Sequence, residues 1–88
     1  GTIENAYTIS NGEYEVIEAE IIETSELINK EIKNSNLPDE LRIGAILRDK
    51  KVIIPRSDFI FKKDDQVVFI VKKESISFVE NIFRFSSV

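Results

Sequence analysis

The stretch Leu41-Arg42-Ile43-Gly44-Ala45-Ile46-Leu47-Arg48, then Asp49-Lys50-Lys51 and Val52-Ile53-Ile54-Pro55, decides the fold of this chain. It resumes with Lys63-Asp64-Asp65 and Gln66-Val67-Val68-Phe69-Ile70-Val71. Short apolar runs with period two, broken by charged turns, read as strands joined by tight connections. Leu41, Ile43, Ala45 and Leu47 share one face of the first run, with Gly44 and Ile46 on the other. Gly44 inside a strand suggests a close neighbour on its side. Asp49-Lys50-Lys51 reads as a hairpin turn, and Pro55 ends the returning strand or marks it as an edge. Gln66 to Val71 is apolar on both faces, the pattern of a central strand covered on both sides.

Working outward, Glu13 to Ile22 reads as another strand, with Ile17, Ala19 and Ile21 inward and Glu18 and Glu20 wet. Residues 1–12 read as a lead-in closed by the turn signal Ser10-Asn11-Gly12. Thr24 or Ser25 can cap a short helix over Glu26–Lys33, with Leu27, Ile28 and Ile32 apolar. Barely two turns long, it would need packing to persist. Leu37-Pro38 forbids its continuation. Phe59 and Phe61 form a short alternating piece. Glu74 to Phe85 fits a second helix, with one stripe of Ile76, Val79 and Phe83 and another of Phe78, Ile82 and Phe85. One sheet face cannot cover both stripes, so Phe78, Ile82 and Phe85 are expected to meet a partner, such as a second copy of the chain. The order is strand, helix, three strands, helix. The fold class expected is α+β, with a four- to five-stranded, mainly antiparallel sheet.

Composition narrows the chemistry. Eighty-eight residues allow one domain, with a stability of about 4–13 kcal/mol at roughly 0.05–0.15 kcal/mol per residue. There is no Cys and no His, so thiolate, triad and zinc chemistry lack their usual groups, and neither a catalytic nor a metal-ligating set is expected. Twelve basic residues lie scattered among sixteen acidic ones, for a net charge of −4, and no nucleic-acid partner is expected. Asp64-Asp65 reads as a solvated turn rather than a cation site, Asp58 and Arg48 as a structural pair, and Tyr7 and Tyr14 as packing residues. No apolar run reaches the ~18–20 residues of a membrane span, and no signal pattern opens the chain. It reads as a soluble piece of a longer protein, the sequence containing no Met.

The ordered parts resemble the RCK or KTN C-terminal (TrkA-C) domain of potassium-transport gating proteins. The resemblance runs through Ser25, Leu27 to Ile32, Leu37-Pro38, Ile43 to Arg48, Val52 to Pro55, Asp58, Asp65, Val67 to Val71 and Val79 to Phe83, with Asn11 to Ala19 as an entry strand. Three turn positions depart from it. Lys51 and Ser57 stand where Gly is usual or frequent, and Asp64 replaces the Gly of a Gly-Asp turn, where Asp tolerates left-handed geometry better than most residues. The resemblance implies residues 13–88 as the regulatory domain, with 1–12 a linker from an upstream nucleotide-binding domain. NAD(H) or ATP would bind that upstream domain, and no G-x-G-x-x-G occurs here. It further implies a homodimer, a cytoplasmic location at the inner face of the plasma membrane, and a membrane potassium-transport subunit as partner.

In some relatives of this family the domain binds cyclic di-AMP. The positions matching their ligand motif are Leu27-Ile28, Glu31 and Lys33, and Arg42-Ile43. Glu and Lys stand here for Asp and Arg, Lys without the bidentate fork of Arg, and Arg42 replaces an Asn. The function implied is a non-enzymatic sensing and dimerisation domain of a Trk-type potassium-uptake subunit. The alternative is a sensor of cyclic di-AMP or another small ligand on a different cation transporter or antiporter.

Overall fold

The structure, a computed structural model, describes residues 3–9 and 12–83. Five strands form one antiparallel sheet: β1 (Ile3–Ile9), β2 (Tyr14–Glu20), β3 (Arg42–Arg48), β4 (Lys51–Ile53) and β5 (Gln66–Lys72). Their order is β1-β2-β5-β3-β4. The doubly apolar run is central, as its pattern implied. It is not covered on both sides, however. Val67, Phe69 and Val71 are buried, whereas Val68 is half-buried and Ile70 is 41% exposed. Antiparallel sheets can leave one face to water, and this one does. The stretch read as a lead-in contributes β1, which pairs with β2 from Ile3↔Ala19 to Ile9↔Tyr14.

The strict alternation of β3 does not survive. Ile43 pairs with Phe69 and Ala45 with Val68, so the register slips at Gly44. A bulge of this kind reverses which face the following residues meet. Ile46, expected opposite Ile43, therefore joins it on the inner face and is fully buried, while Ala45 and Leu47 turn outward. Gly44 faces no crowding, since an added Cβ would lie 3.7 Å from the Val68 carbonyl oxygen. Asp49 and Lys50 both have positive φ, 51° and 65°, the type I′ geometry of a two-residue hairpin. Asp64, at φ 72°, adopts the left-handed conformation expected of it.

The core lies on one face of the sheet. Helix α1 (Ile76–Phe83), after a 3₁₀ turn at Lys73–Ser75, covers one part. Its Val79 and Phe83 are fully buried, and the Phe83 ring stacks on Phe69 with centroids 5.0 Å apart. The remainder is covered by two loops laced together. The expected helix over Glu26–Lys33 does not form. Asn29 takes a φ of 68°, which ends any right-handed turn. The backbone then runs extended beside residues 57–61. Asn29 N–H donates to the Phe61 carbonyl at 2.9 Å, Phe61 N–H to Lys30 at 3.0 Å, Ile32 N–H to Phe59 at 3.0 Å and Lys33 N–H to Ser57 at 2.9 Å. Those bonds satisfy groups that a two-turn helix would have left open at its ends. Ser25 still does cap-like work, its hydroxyl accepting from Leu27 N–H at 3.2 Å. Only a 3₁₀ turn, Ile32–Asn34, remains of the helix.

Candidate functional site

The lacing leaves a groove of about 530 Å³ between residues 32–43 and 55–57. Leu41 is buried beneath it, and Ile32, Leu37, Ile43 and Pro55 line it half-buried, so the floor is apolar. Three exposed cations, Lys33, Arg42 and Arg56, stand among the lining residues with Asn36, Pro38 and Ser57. Arg42 is held in place: one Nη1 donates to the Asp39 carbonyl at 2.6 Å and to the Leu41 carbonyl at 2.9 Å. Lys33 Nζ lies 3.8 Å from Glu31 Oε2. The bond from Lys33 N–H to the Ser57 carbonyl ties the two walls together. Positively charged heads above an apolar floor suit an anion that carries an apolar or planar part.

Of the residues expected to face a ligand, Lys33, Arg42 and Ile43 converge on this groove. The others do not line it. Leu27 is fully buried and belongs to the core, and Ile28 packs half-buried against that core. Both follow from the missing helix, which would have presented them together. Glu31 points along the surface, its Oε1 accepting from Asn34 Nδ2 at 3.1 Å. Arg56, Asn36 and Ser57 were not legible as site residues, because their place depends on the pairing of 29–33 with 57–61.

The second helical stripe divides. Phe78 is 48% exposed, but Ile82 is 5% exposed and packs into the core, so it is not free surface. Phe85 lies outside the described residues.

The acidic turn also resolves differently from the reading above. Asp65 is 1% exposed and pairs with Arg48, Nε to Oδ1 at 2.7 Å and Nη2 to Oδ2 at 2.7 Å. The Lys62 N–H adds a third donor at 2.8 Å. Arg48 therefore pairs with Asp65, not with the exposed Asp58. Its guanidinium also lies 4.8 Å from the centre of the Phe59 ring. The hydrogen bonds to Asp65 hold the Arg48 pKa above its ordinary value. This pair locks a loop and leaves no free group for chemistry. Among the described residues there is no group of three or more Asp, Glu, His or Cys able to hold a metal, and no helix long and apolar enough to cross a membrane.

The five-stranded antiparallel sheet with one helix-covered face is a fold shared with a solved RCK domain. A solved structure described as an RCK domain with cda superposes with a TM-score of 0.63 at 17% identity, over 76% of this chain and 96% of that one. The fold is shared. The TrkA-C domain model matches residues 16–84, and the chain belongs to that family. It is 35% identical, over 98% of its length, to the Trk system potassium uptake protein TrkA of Azorhizobium caulinodans. It is 34% identical over 94% to a TrkA homolog of Archaeoglobus fulgidus and 32% identical over 96% to TrkA of Halomonas elongata. The chain spans 19% of the length of each of these relatives.

Proposed function

We propose that this chain is the non-enzymatic, ligand-sensing and dimerising domain of a Trk-type potassium-uptake subunit, peripheral to the cytoplasmic face of the membrane, and that occupancy of its groove biases the gating of the transporter. The convergence of Lys33, Arg42 and Arg56 over an apolar floor carries this reading. The whole relatives named for potassium uptake support it. NAD(H) or ATP belongs, on this reading, to a preceding domain. A ligand acts by binding one arrangement of the parent protein better than another, and a coupling of about 1–3 kcal/mol is enough.

Cyclic di-AMP is the first ligand to test, because its two phosphates and two planar bases match the rim and the floor, and because the solved RCK neighbour is described with cda. If it is the ligand, the transporter served could equally be a different cation transporter or antiporter. Titration calorimetry with cyclic di-AMP, cyclic di-GMP and AMP tests the reading. Saturable heat with one of them is expected, weakened at least about tenfold, or 1.4 kcal/mol, by Arg56→Ala. Absence of heat and of any thermal shift with all three contradicts ligand sensing at this groove.

A further inference from the structure

We propose that Arg48, which does not line the groove, is a positioning residue for it: by gripping residues 59–65 it holds in place the wall that carries Arg56, so that the grip and a bound ligand strengthen one another. The inference rests on the ligand-sensing reading above and names what regulates the affinity of that same groove.

Residues 54–65 run from the end of β4 to the start of β5 and form no strand or helix, apart from the single bridge of Ile60 with Glu31. A connection of that length takes its shape from whatever ties it down. Its first part is groove wall: Pro55, Arg56 and Ser57. Its last part is gripped by Arg48, which reaches over from β3. Arg48 Nη2 donates to the Ile60 carbonyl at 3.0 Å and to Asp65 Oδ2 at 2.7 Å, and Nε donates to Asp65 Oδ1 at 2.7 Å. The same guanidinium lies 4.8 Å from the centre of the Phe59 ring. A short link joins the two parts. Phe59 N–H donates to the Arg56 carbonyl at 3.0 Å, so the residue under the guanidinium is hydrogen-bonded to the residue on the rim. The Phe59 ring also meets that of Phe61 edge-on at 5.9 Å, and Phe61 is fully buried.

The three rim cations are placed by different means. Arg42 is tied to the carbonyls of Asp39 and Leu41. Lys33 belongs to the facing segment, 29–33. Of the three, Arg56 is the one linked through Phe59 to Arg48. Releasing the grip therefore displaces one cation and leaves two. Arg48→Lys makes that release mildly. It keeps a positive charge opposite Asp65, but an ammonium lacks the planar fork that spans both carboxylate oxygens and stacks on a ring. The loss of affinity should not exceed what removal of the Arg56 head group causes, because the two losses share one origin. Coupling between binding events is also reciprocal: if the grip raises affinity, an occupied groove tightens the grip.

Titration calorimetry tests this with cyclic di-AMP, or with cyclic di-GMP or AMP if the wild type takes one of those instead. Arg48→Lys is expected to raise the dissociation constant about five- to tenfold. On the background of Arg56→Ala it should add less than about twofold, since residues acting through one another are not additive. Val79→Ala, which weakens the core at α1 and touches no part of the wall, should bind as the wild type does. In the wild type, the Arg48 Nε–H proton should exchange with water at least about fivefold more slowly at saturating ligand. That measurement needs no variant and decides the matter if Arg48→Lys does not fold. Unchanged exchange at saturation, or an Arg48→Lys effect that adds in full to that of Arg56→Ala, overturns the inference alone and leaves the groove as a binding site. Equal losses in Val79→Ala and Arg48→Lys also overturn it, because the effect would then be one of stability. A wild type that binds none of the three nucleotides overturns the ligand-sensing reading and this inference with it.

Discussion

Arg48 is the residue on which the loop cover of the core turns. Leu47 pairs with Gln66, so the register sets Arg48 beside Asp65, and the fully buried carboxylate receives both arms of the guanidinium. Removing the cation leaves that carboxylate buried with the Lys62 N–H alone. Arg48→Ala should therefore cost about 2–4 kcal/mol, somewhat below a fully buried pair because the arginine side chain is 28% exposed. Chemical denaturation of the variant checks this, and a cost under about 1 kcal/mol would place the pair among ordinary surface pairs. The sign of the pH effect follows from the raised pKa of Arg48. Its contribution is complete below the ordinary arginine value and is lost only as pH rises past the raised one. No loss from Arg48 deprotonation is expected between roughly pH 6 and 9. Lys50 presents the converse case. It holds a φ of 65° at a hairpin position that favours glycine. Lys50→Gly should stabilise the domain by about 0.5–1 kcal/mol, read as a rise in the denaturation midpoint.

At the scale of elements, alternation located β2 and β3, the turn at Asp49-Lys50-Lys51 located β4 as the returning run, and the run apolar on both faces located β5, which is central though covered on one face only. What local pattern could not show was set by contacts distant in sequence. The bulge at Gly44 arises from how β3 meets β5, and it moves Ile46 into the core while leaving the alternation of the sequence untouched. Leu27, Ile28 and Ile32 have helical spacing, yet residues 57–61 offer their backbone better hydrogen bonds than two isolated turns would. The candidate site inherits the same division. Lys33, Arg42 and Ile43 were legible from a family pattern, while Arg56 and Ser57 reach the groove only through that lacing. Because Gly44 has no positive φ and room for a Cβ, it serves the bulge without being demanded by it. Gly44→Ala should be neutral or stabilising, up to about 1 kcal/mol. A loss above about 1 kcal/mol in thermal denaturation would mean that the bulge needs glycine after all.

For the whole molecule, the two faces of the sheet differ in what covers them. The inner face is closed by α1 and the laced loops, and the groove opens on the outside of that cover. Among the described residues, the outer face carries no helix and leaves Val52 and Ile70 exposed. The groove walls are loops tied by four backbone hydrogen bonds between residues 29–33 and 57–61, so a ligand bridging them should stiffen the cover over Leu27 and Phe61. At a ligand concentration a hundred times the dissociation constant, binding stabilises by about 2.7 kcal/mol. For a domain of this size that corresponds to a rise in Tm of about 10–20 °C.

The most direct measurement is amide chemical-shift mapping of the chain titrated with cyclic di-AMP. The account predicts saturable shifts concentrated at Lys33, Asn36, Arg42, Ile43 and Ser57, with Glu18, Val68 and Val52 on the outer face left unmoved. Saturable shifts centred elsewhere, or none at ligand saturating for RCK domains that bind it, would contradict the claim that this groove is where the domain senses.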